Sequence, residues 1–187
     1  MSRSRRRLRS WIYAATHQAI LKTVTVLSFK ALLEFKGKGM PTQASNCRLR
    51  KGRFSQPGQI YVLTSVVKQR RVVFRDWFLG RLLVNQFREA ENAGLVDSLA
   101  WVVMPDHFHW LIQLQQGSLA ELMCRVKSRS SKAINGHGAI WQRGYHDRAV
   151  RREEDLKMIA RYIVMNPIRA GLVQKVGDYP LWDAIWI

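Results

Sequence analysis

The chain has 187 residues, 47% of them hydrophobic, which is enough for one globular domain with an extension and too much for a wholly disordered polypeptide. Its 31 Lys+Arg against 13 Asp+Glu give a net charge of +18, more than solubility requires, so the expected partner is a polyanion: nucleic acid first, an anionic membrane surface second. The two cysteines, Cys47 and Cys124, lie far apart with no Cys-x-x-Cys or Cys/His cluster, which excludes a zinc ribbon or a disulfide scaffold and suits a reducing cytoplasm.

Residues 1–39 carry nine Lys+Arg and one acid, a charge of +8 that leaves +10 for the remainder. Arg3, Arg5, Arg6, Arg7 and Arg9 precede a moderately apolar stretch, Trp11 to Phe35, which is the layout of a targeting signal. That stretch is interrupted by His17, Gln18, Lys22, Lys30 and Glu34, and no small-residue cleavage site follows; neither a membrane span nor export is expected. The run Gly37 to Thr42 reads as a linker, and Met40 as the expected translation start, with 1–39 an upstream read-through. The expected division is thus a basic extension, 1–39, and a working domain, 40–187.

Beyond Met40 the pattern is regular. A basic arm with Arg48, Arg50, Lys51 and Arg53 and the turn Gln56-Pro57-Gly58 lead into a β-rich run, Ile60 to Val67. Asp76 is placed to cap a helix running to about Ala93, stopped by Gly94. Leu95 to Met104 reads as a strand, Pro105-Asp106 as a turn and His107 to Leu114 as the hairpin partner. Ser118-Leu119-Ala120-Glu121 has the form of a capping box, opening a helix to about Asn135. Trp141 to Val150 reads as a fourth strand. Glu153, Glu154 and Asp155 then place three acids in the first turn of a last helix, where the macrodipole favours them. The order β-α-β-β-α-β-α is the ferredoxin-like split β-α-β-β-α-β arrangement of an α+β protein with one additional C-terminal helix.

The segment Trp101 to Leu114 holds the most chemistry. In a strand, residues i and i+2 share a face, so His107, His109, Leu111 and Gln113 are expected on one side and the apolar Phe108, Trp110, Ile112 and Leu114 on the other. The second side suits a core, while the first can hold a metal through two imidazoles, although two histidines in a strand are equally compatible with ordinary hydrogen-bonded residues. In the last helix, Leu156, Ile159, Ala160 and Ile163 form a stripe for burial, and Tyr162 and Asn166, at i and i+4, lie along its edge. Pro167 biases Asn166 out of the helical region, so a kink is expected there. By themselves, Tyr162 reads as an amphipathic boundary residue and Asn166 as a C-terminal cap.

Three ordered blocks resemble the REP-associated tyrosine transposases, which belong to the single-tyrosine HUH transposases. They are Met104-Pro105-Asp106-His107-Phe108-His109, Trp141 to Arg148 and Arg161 to Val173. The resemblance covers about Cys47 to Tyr179 and includes a Ser-rich basic helix at Arg125 to Asn135; residues 1–39 have no counterpart in it, and Arg148 replaces a histidine often found there. It implies that His107, His109 and Asn166 are ligands of a divalent metal, Mg or Mn, and that Tyr162 is the nucleophile, carried on the additional C-terminal helix. Attack on a phosphodiester would leave a 5′-phosphotyrosine and a free 3′-hydroxyl, the metal offsetting charge that builds up on the phosphate. The implied substrate is single-stranded or hairpin DNA, handled by a monomer or homodimer away from any membrane.

Tyr145 is the one serious rival nucleophile; Tyr13, Tyr61 and Tyr179 are remote from the histidines or lie in doubtful context, and His146 is expected to be a DNA contact or structural residue. DNA contacts are expected from Arg48, Arg50, Lys51 and Arg53, from Arg143, and from Arg125, Arg129 and Lys132 on one flank of the second helix, beside a buried face of Leu119, Leu122, Met123, Val126, Ala133 and Ile134. Two other functions compete with DNA strand transfer in transposition or repeat processing: a ferredoxin-like nucleic-acid-binding protein without catalysis, and a small metal-dependent hydrolase that would form no covalent intermediate.

Overall fold

The computed structural model describes residues 55–135, 139–151 and 155–186. The basic extension, the linker, Met40, Tyr13, the arm with Arg48, Arg50, Lys51 and Arg53, and the acids Glu153 and Glu154 lie outside the described residues.

The alternation of the β-rich run becomes strand β1 (Ile60–Val66), and Asp76 caps helix α1 (Trp77–Asn92) by accepting a hydrogen bond from the Phe78 amide at 2.8 Å. Strands β2 (Val96–Met104) and β3 (His107–Leu114) form the hairpin, closed by Pro105 and Asp106. Helix α2 (Leu119–Asn135) opens on the capping box: the Ser118 amide donates to Glu121 Oε2 at 2.9 Å and the Glu121 amide to Ser118 Oγ at 3.2 Å. Strand β4 (His146–Ala149) returns to β1, and helix α3 (Leu156–Val164) begins with Asp155 accepting from the amides of Lys157 and Met158. A short helix α4 (Asn166–Arg169) and strand β5 (Trp182–Ala184) complete the described chain.

The strands form one sheet in the order β4-β1-β3-β2-β5, antiparallel throughout. Its first four strands have the ferredoxin-like order, with β1 and β3 central. Helices cover both faces, which is why β2 is buried without a break from Leu99 to Met104 rather than alternating. One face presents Leu63, Phe108, Trp110 and Ile112 to α1 and α2. There Phe87 of α1 stacks on Trp110 with ring centroids 4.3 Å apart and meets Phe108 edge-on at 5.1 Å. The opposite face presents Val102, Met104 and Leu111 to Ile159, Ala160, Ile163 and Val164 of α3.

Four expectations need correction. The fourth strand is four residues long, not ten: Trp141 makes only an isolated bridge to Val67, and Gly144 turns the chain at φ +77° before β4 starts. In α2, Ala133 is exposed, whereas Ser130 and Ser131 are buried, because Ser130 Oγ accepts from the Trp141 indole at 3.0 Å and Ser131 Oγ from the Ile140 amide. β5 was not anticipated; three residues are too short for any periodicity to show. Finally, the histidine face of β3 is not simply polar, since Leu111 on it is fully buried under α3.

Phe87→Ala removes the ring that ties α1 to both Phe108 and Trp110. It should cost about 3–5 kcal/mol and reduce the near-ultraviolet circular dichroism of the tryptophans, both readable in a thermal melt against the unmodified chain.

Candidate active site

Antiparallel pairing of β1 with β3 sets Val66 opposite His107 and Thr64 opposite His109. Cross-strand partners share a face, so the hydroxyl of Thr64 lies beside the second imidazole, and Thr64 Oγ1 and His109 Nδ1 hydrogen-bond at 2.8 Å. His107 Nδ1 bonds instead to Asp106 Oδ1 in the turn just before the strand. Arg70 Nη1 donates to the other oxygen of that carboxylate at 3.0 Å. Burial pushes the Asp106 carboxyl up, but the hydrogen bonds from His107 and Arg70 and their charges more than offset this, so it stays ionised below the ordinary carboxylate range. Each imidazole thus has its Nδ1 occupied, and neither Nε2 takes a hydrogen bond from any described residue. The two rings stand 4.9 Å apart, centroid to centroid, at 83°.

This donor set fits a divalent metal. A ligating histidine ordinarily gives its second ring N–H to a carboxylate or another oxygen, which fixes the tautomer and aims the free nitrogen outward. Desolvation, reinforced by the charges of His107 and Arg169 and only partly opposed by Asp106, holds the pKa of His109 at about 3, so its imidazole is neutral, the ligating form, across the physiological range.

Helix α3 lies on the histidine face and carries Tyr162 in its last turn, 38% exposed. The helix stops at Met165 (φ −79°, ψ 0°), one residue earlier than the kink expected at Asn166, and Asn166 itself opens the short helix α4 rather than leaving the helical region. Asn166 Nδ2 donates back to the Ile163 carbonyl at 2.8 Å and to that of Tyr162 at 3.4 Å. Its amide nitrogen therefore acts as the cap, and its Oδ1 is turned away from those carbonyls. Arg169, in α4, donates to the Tyr162 carbonyl and sets its guanidinium carbon 3.8 Å from the centroid of the Tyr162 ring, a cation–π contact. The same guanidinium is near enough to His109 for its charge to act on that ring. Burial lowers the pKa of Arg169 itself, against a raising contribution from Tyr162.

The other tyrosines are placed elsewhere. Tyr145 packs against the core on the opposite face of the sheet, and Tyr61 is buried in that same core, 5% exposed. Tyr179 donates its hydroxyl to the Val103 carbonyl at 2.7 Å, and burial pushes its pKa to about 12. His146 pairs with Thr64 from the far side of β1, two strands from His109 and so about 10 Å away across the sheet. Among the described residues there is no group of three or more His, Cys, Asp or Glu that could hold a metal.

Of the expected DNA contacts, Lys132 and Arg143 are exposed and Arg125 is half-buried, while Arg129 is paired with Glu89 of α1 at 2.9 Å. Lys127, which sequence reasoning missed, donates to the carbonyls of Gln142 (2.7 Å) and Gly144 and so anchors the loop bearing Arg143 to α2. Thr64, Arg70, Asp106 and Arg169 were missed as well. Asp106 had a local signal, being a carboxylate next to a histidine in a turn; the other three become neighbours of the site only through strand pairing and helix docking.

A ferredoxin-like antiparallel sheet with a histidine pair on one face and a tyrosine-bearing helix docked on that same face defines the class. Residues 55–166 match the family model described as Transposase IS200 like, 60% of the chain, and the chain belongs to that family. It is similar to a REP-associated tyrosine transposase of Escherichia coli, 32% identical over 83 residues, which are 43% of this chain and half the length of that relative. A chain of Haemophilus influenzae assigned to the same group is 27% identical over 143 residues, 66% of this chain and 78% of the relative. The solved structure of a REP-associated tyrosine transposase bound to a REP hairpin shares the fold, with a TM-score of 0.61 at 24% identity, covering 70% of this chain and 79% of that one. No helix among the described residues is long and apolar enough to cross a membrane.

The His109 environment sets a pH dependence. In the unfolded chain its pKa is near 6.5, in the folded chain about 3. Above pH 6.5 both states are neutral and stability is complete; as pH falls below 6.5 the unfolded state takes up a proton that the folded state refuses, and stability declines with a slope approaching about 1.4 kcal/mol per pH unit. Urea denaturation in chelator-containing buffer between pH 7.5 and 5 should show this slope in the unmodified chain, and the difference between it and His109→Gln should shrink steadily as pH falls.

Proposed function

We propose that this chain cleaves and rejoins single-stranded or hairpin DNA through a 5′-phosphotyrosine intermediate, in DNA transposition or the processing of repeats. The observation that carries this reading is the placement of Tyr162 on the helix that covers the histidine face, with Arg169 against its ring, over a histidine pair whose Nδ1 atoms are both engaged and whose Nε2 atoms are not. Membership of the transposase family supports it, as does the similarity to REP-associated tyrosine transposases.

His107 and His109 would hold a divalent ion, Mg or Mn, through Nε2, with the Asn166 Oδ1 as third protein ligand. Bound there, the ion would offset the negative charge that develops on the phosphate during attack. Tyr162 Oη forms a bond to phosphorus as the bond to O3′ breaks; the phenol proton passes to solvent, and the departing 3′ oxygen takes one up. Arg169 fixes the tyrosine ring from its face and adds positive charge beside the reacting phosphate. Asp106 and Thr64 hold the two imidazoles in the tautomer that leaves Nε2 available. Reversal by a different 3′-hydroxyl rejoins strands without an external energy source, because the phosphodiester energy is retained in the tyrosyl ester.

Phosphates of the bound DNA are engaged by Arg125, Lys132 and Arg143, by the arm Arg48, Arg50, Lys51 and Arg53, and by Arg129 once it is released from Glu89. Residues 1–39 are dispensable for the chemistry, as the family match begins at residue 55 and every proposed catalytic group lies beyond residue 100. We place the protein in the cytoplasm, where such DNA is found. A non-catalytic nucleic-acid-binding module is the competing reading.

Incubated with labelled hairpin DNA and Mn or Mg, the unmodified chain should yield a protein–DNA adduct that survives denaturation and that does not form when EDTA is present from the start. Tyr162→Phe should retain hairpin affinity within about twofold and lose the adduct, since only the attacking oxygen is removed. His107→Ala and His109→Ala should each lose cleavage along with metal binding. Adduct formation by Tyr162→Phe would overturn the nucleophile; no adduct from the unmodified chain under any metal condition would favour the binding module. Deletion of 1–39 should leave hairpin cleavage nearly unchanged while reducing the salt dependence of nonspecific DNA binding.

A further inference from the structure

The segment after β1 and the first turn of α1 leave three large apolar side chains in solvent at the histidine end of the sheet: Val72 (55% exposed), Trp77 (59%) and Phe78 (58%). Burying any of them would stabilise the fold, so their exposure asks for an occupant. The surrounding charge indicates which kind. From Lys68 to Arg81 the sequence has five cations, Lys68, Arg70, Arg71, Arg75 and Arg81, and one acid, Asp76, whose carboxylate is used as the α1 cap. Arg71, Arg75 and Arg81 are exposed and form no ion pair with the described residues. Aromatic faces interleaved with unpaired arginines match a single nucleic-acid strand, whose bases stack and whose phosphates need cations; a second copy of this +18 chain would bring its own positive charge.

The patch is also tied directly to the candidate site. The Phe74 amide donates to the Pro105 carbonyl at 2.9 Å, the Val67 amide to the Asp106 carbonyl at 2.8 Å, and Arg70 to the Asp106 carboxylate that holds His107. Gln69 and Arg70 both adopt left-handed backbone, φ 58° and 53°, at a steric cost, and through them the chain turns to bring Arg70 onto Asp106 and to carry the segment on to Trp77.

We propose that Trp77 and Phe78, with Arg71 and Arg75, form a stacking platform that holds single-stranded DNA adjoining the phosphate attacked by Tyr162. The proposal rests on the strand-cleavage reading for the identity of the strand, but it predicts binding that needs neither metal nor chemistry. Strand polarity follows from the reaction: the nucleotides on the platform belong to the same strand as the scissile phosphate, so a blunt hairpin leaves it empty.

The test uses the full chain in EDTA, where no adduct forms, with fluorescence anisotropy of an oligothymidylate of about a dozen nucleotides and of a blunt hairpin lacking any overhang. Trp77→Ala should weaken oligothymidylate binding by about five- to hundredfold, in line with one or two lost stacks, with Trp77→Phe recovering most of it. Blunt-hairpin binding should be unchanged in both. Arg71→Ala and Arg75→Ala should each lower the slope of log K against log salt by about 0.7 for the single strand. Since Trp77→Ala can in principle disturb the start of α1, photocrosslinking of the unmodified chain to 5-iododeoxyuridine oligonucleotides is the second measurement; a crosslink in the peptide spanning 75–81 supports the platform. Unchanged oligothymidylate affinity in Trp77→Ala, crosslinks confined to other segments, or a dimer that becomes a monomer in sedimentation on the same substitution would overturn it, the last assigning the patch to a second copy. Retained binding defects with no adduct from the unmodified chain would leave the platform standing and remove the cleavage reading.

Discussion

The candidate site depends on the register of β1 against β3. Side chains in a strand alternate with a period of two, so a slip of one residue would carry both histidines to the other face, into the space occupied by Phe108 and Trp110. Several features oppose such a slip: the paired aromatic packing of Phe87, Phe108 and Trp110 on one face, the burial of Leu111 under α3 on the other, and the Thr64–His109 hydrogen bond between the strands. The same contacts that stabilise the hairpin in the sheet therefore also hold the two imidazoles in position.

The two faces of the sheet divide the work. In the larger aromatic core against α1 and α2 the Trp110 indole donates to Ser98 at 2.8 Å and the Trp141 indole to Ser130, while the buried Ser65 Oγ has no hydrogen-bond partner among the described residues. The smaller aliphatic core under α3 is edged by ionisable and polar groups: His109, Thr64, Asp106 through His107, and Arg169 through Tyr162. Desolvation there keeps His109 neutral while the Arg70–Asp106–His107 chain keeps a carboxylate ionised three residues away. One short segment thus holds a neutral base and an anion side by side, and the difference arises from partners rather than from residue type.

Strain and exposure concentrate at this end of the molecule. Two successive non-glycine residues in left-handed conformation, three solvent-exposed large apolar side chains and a helix broken at Met165 all lie near the histidine pair or on segments bonded to it. A domain selected for stability alone would have replaced them. Such features suit a surface shaped for a ligand, and under the proposed function the +18 charge of the chain matches an anionic one.

Much of this was legible along the chain. A β-rich run marked β1, a mainly apolar run β2 and period-two alternation β3, start and stop signals marked α1, and period-3.6 stripes marked α2 and α3, all to within a few residues; the Ser118–Glu121 capping box and the Asp76 cap marked helix starts, and the His-x-His spacing put both imidazoles on one face, because these signals are local. Three-residue β5 and the shortening of the fourth strand to His146–Ala149 were not legible, since no local pattern distinguishes a few extended residues that pair only because a neighbouring edge is open. The candidate site divides in the same way. The His-x-His spacing marked His107 and His109, and the family resemblance, not the spacing, singled out Tyr162 and Asn166; only the tertiary structure brought Thr64 to His109, Arg70 to Asp106 and Arg169 over Tyr162, and sent Tyr145 to the far face. Those pairings join residues 45, 36, 7 and more positions apart, and contacts made by strand register and helix docking leave no trace in the linear spacing of the residues that make them.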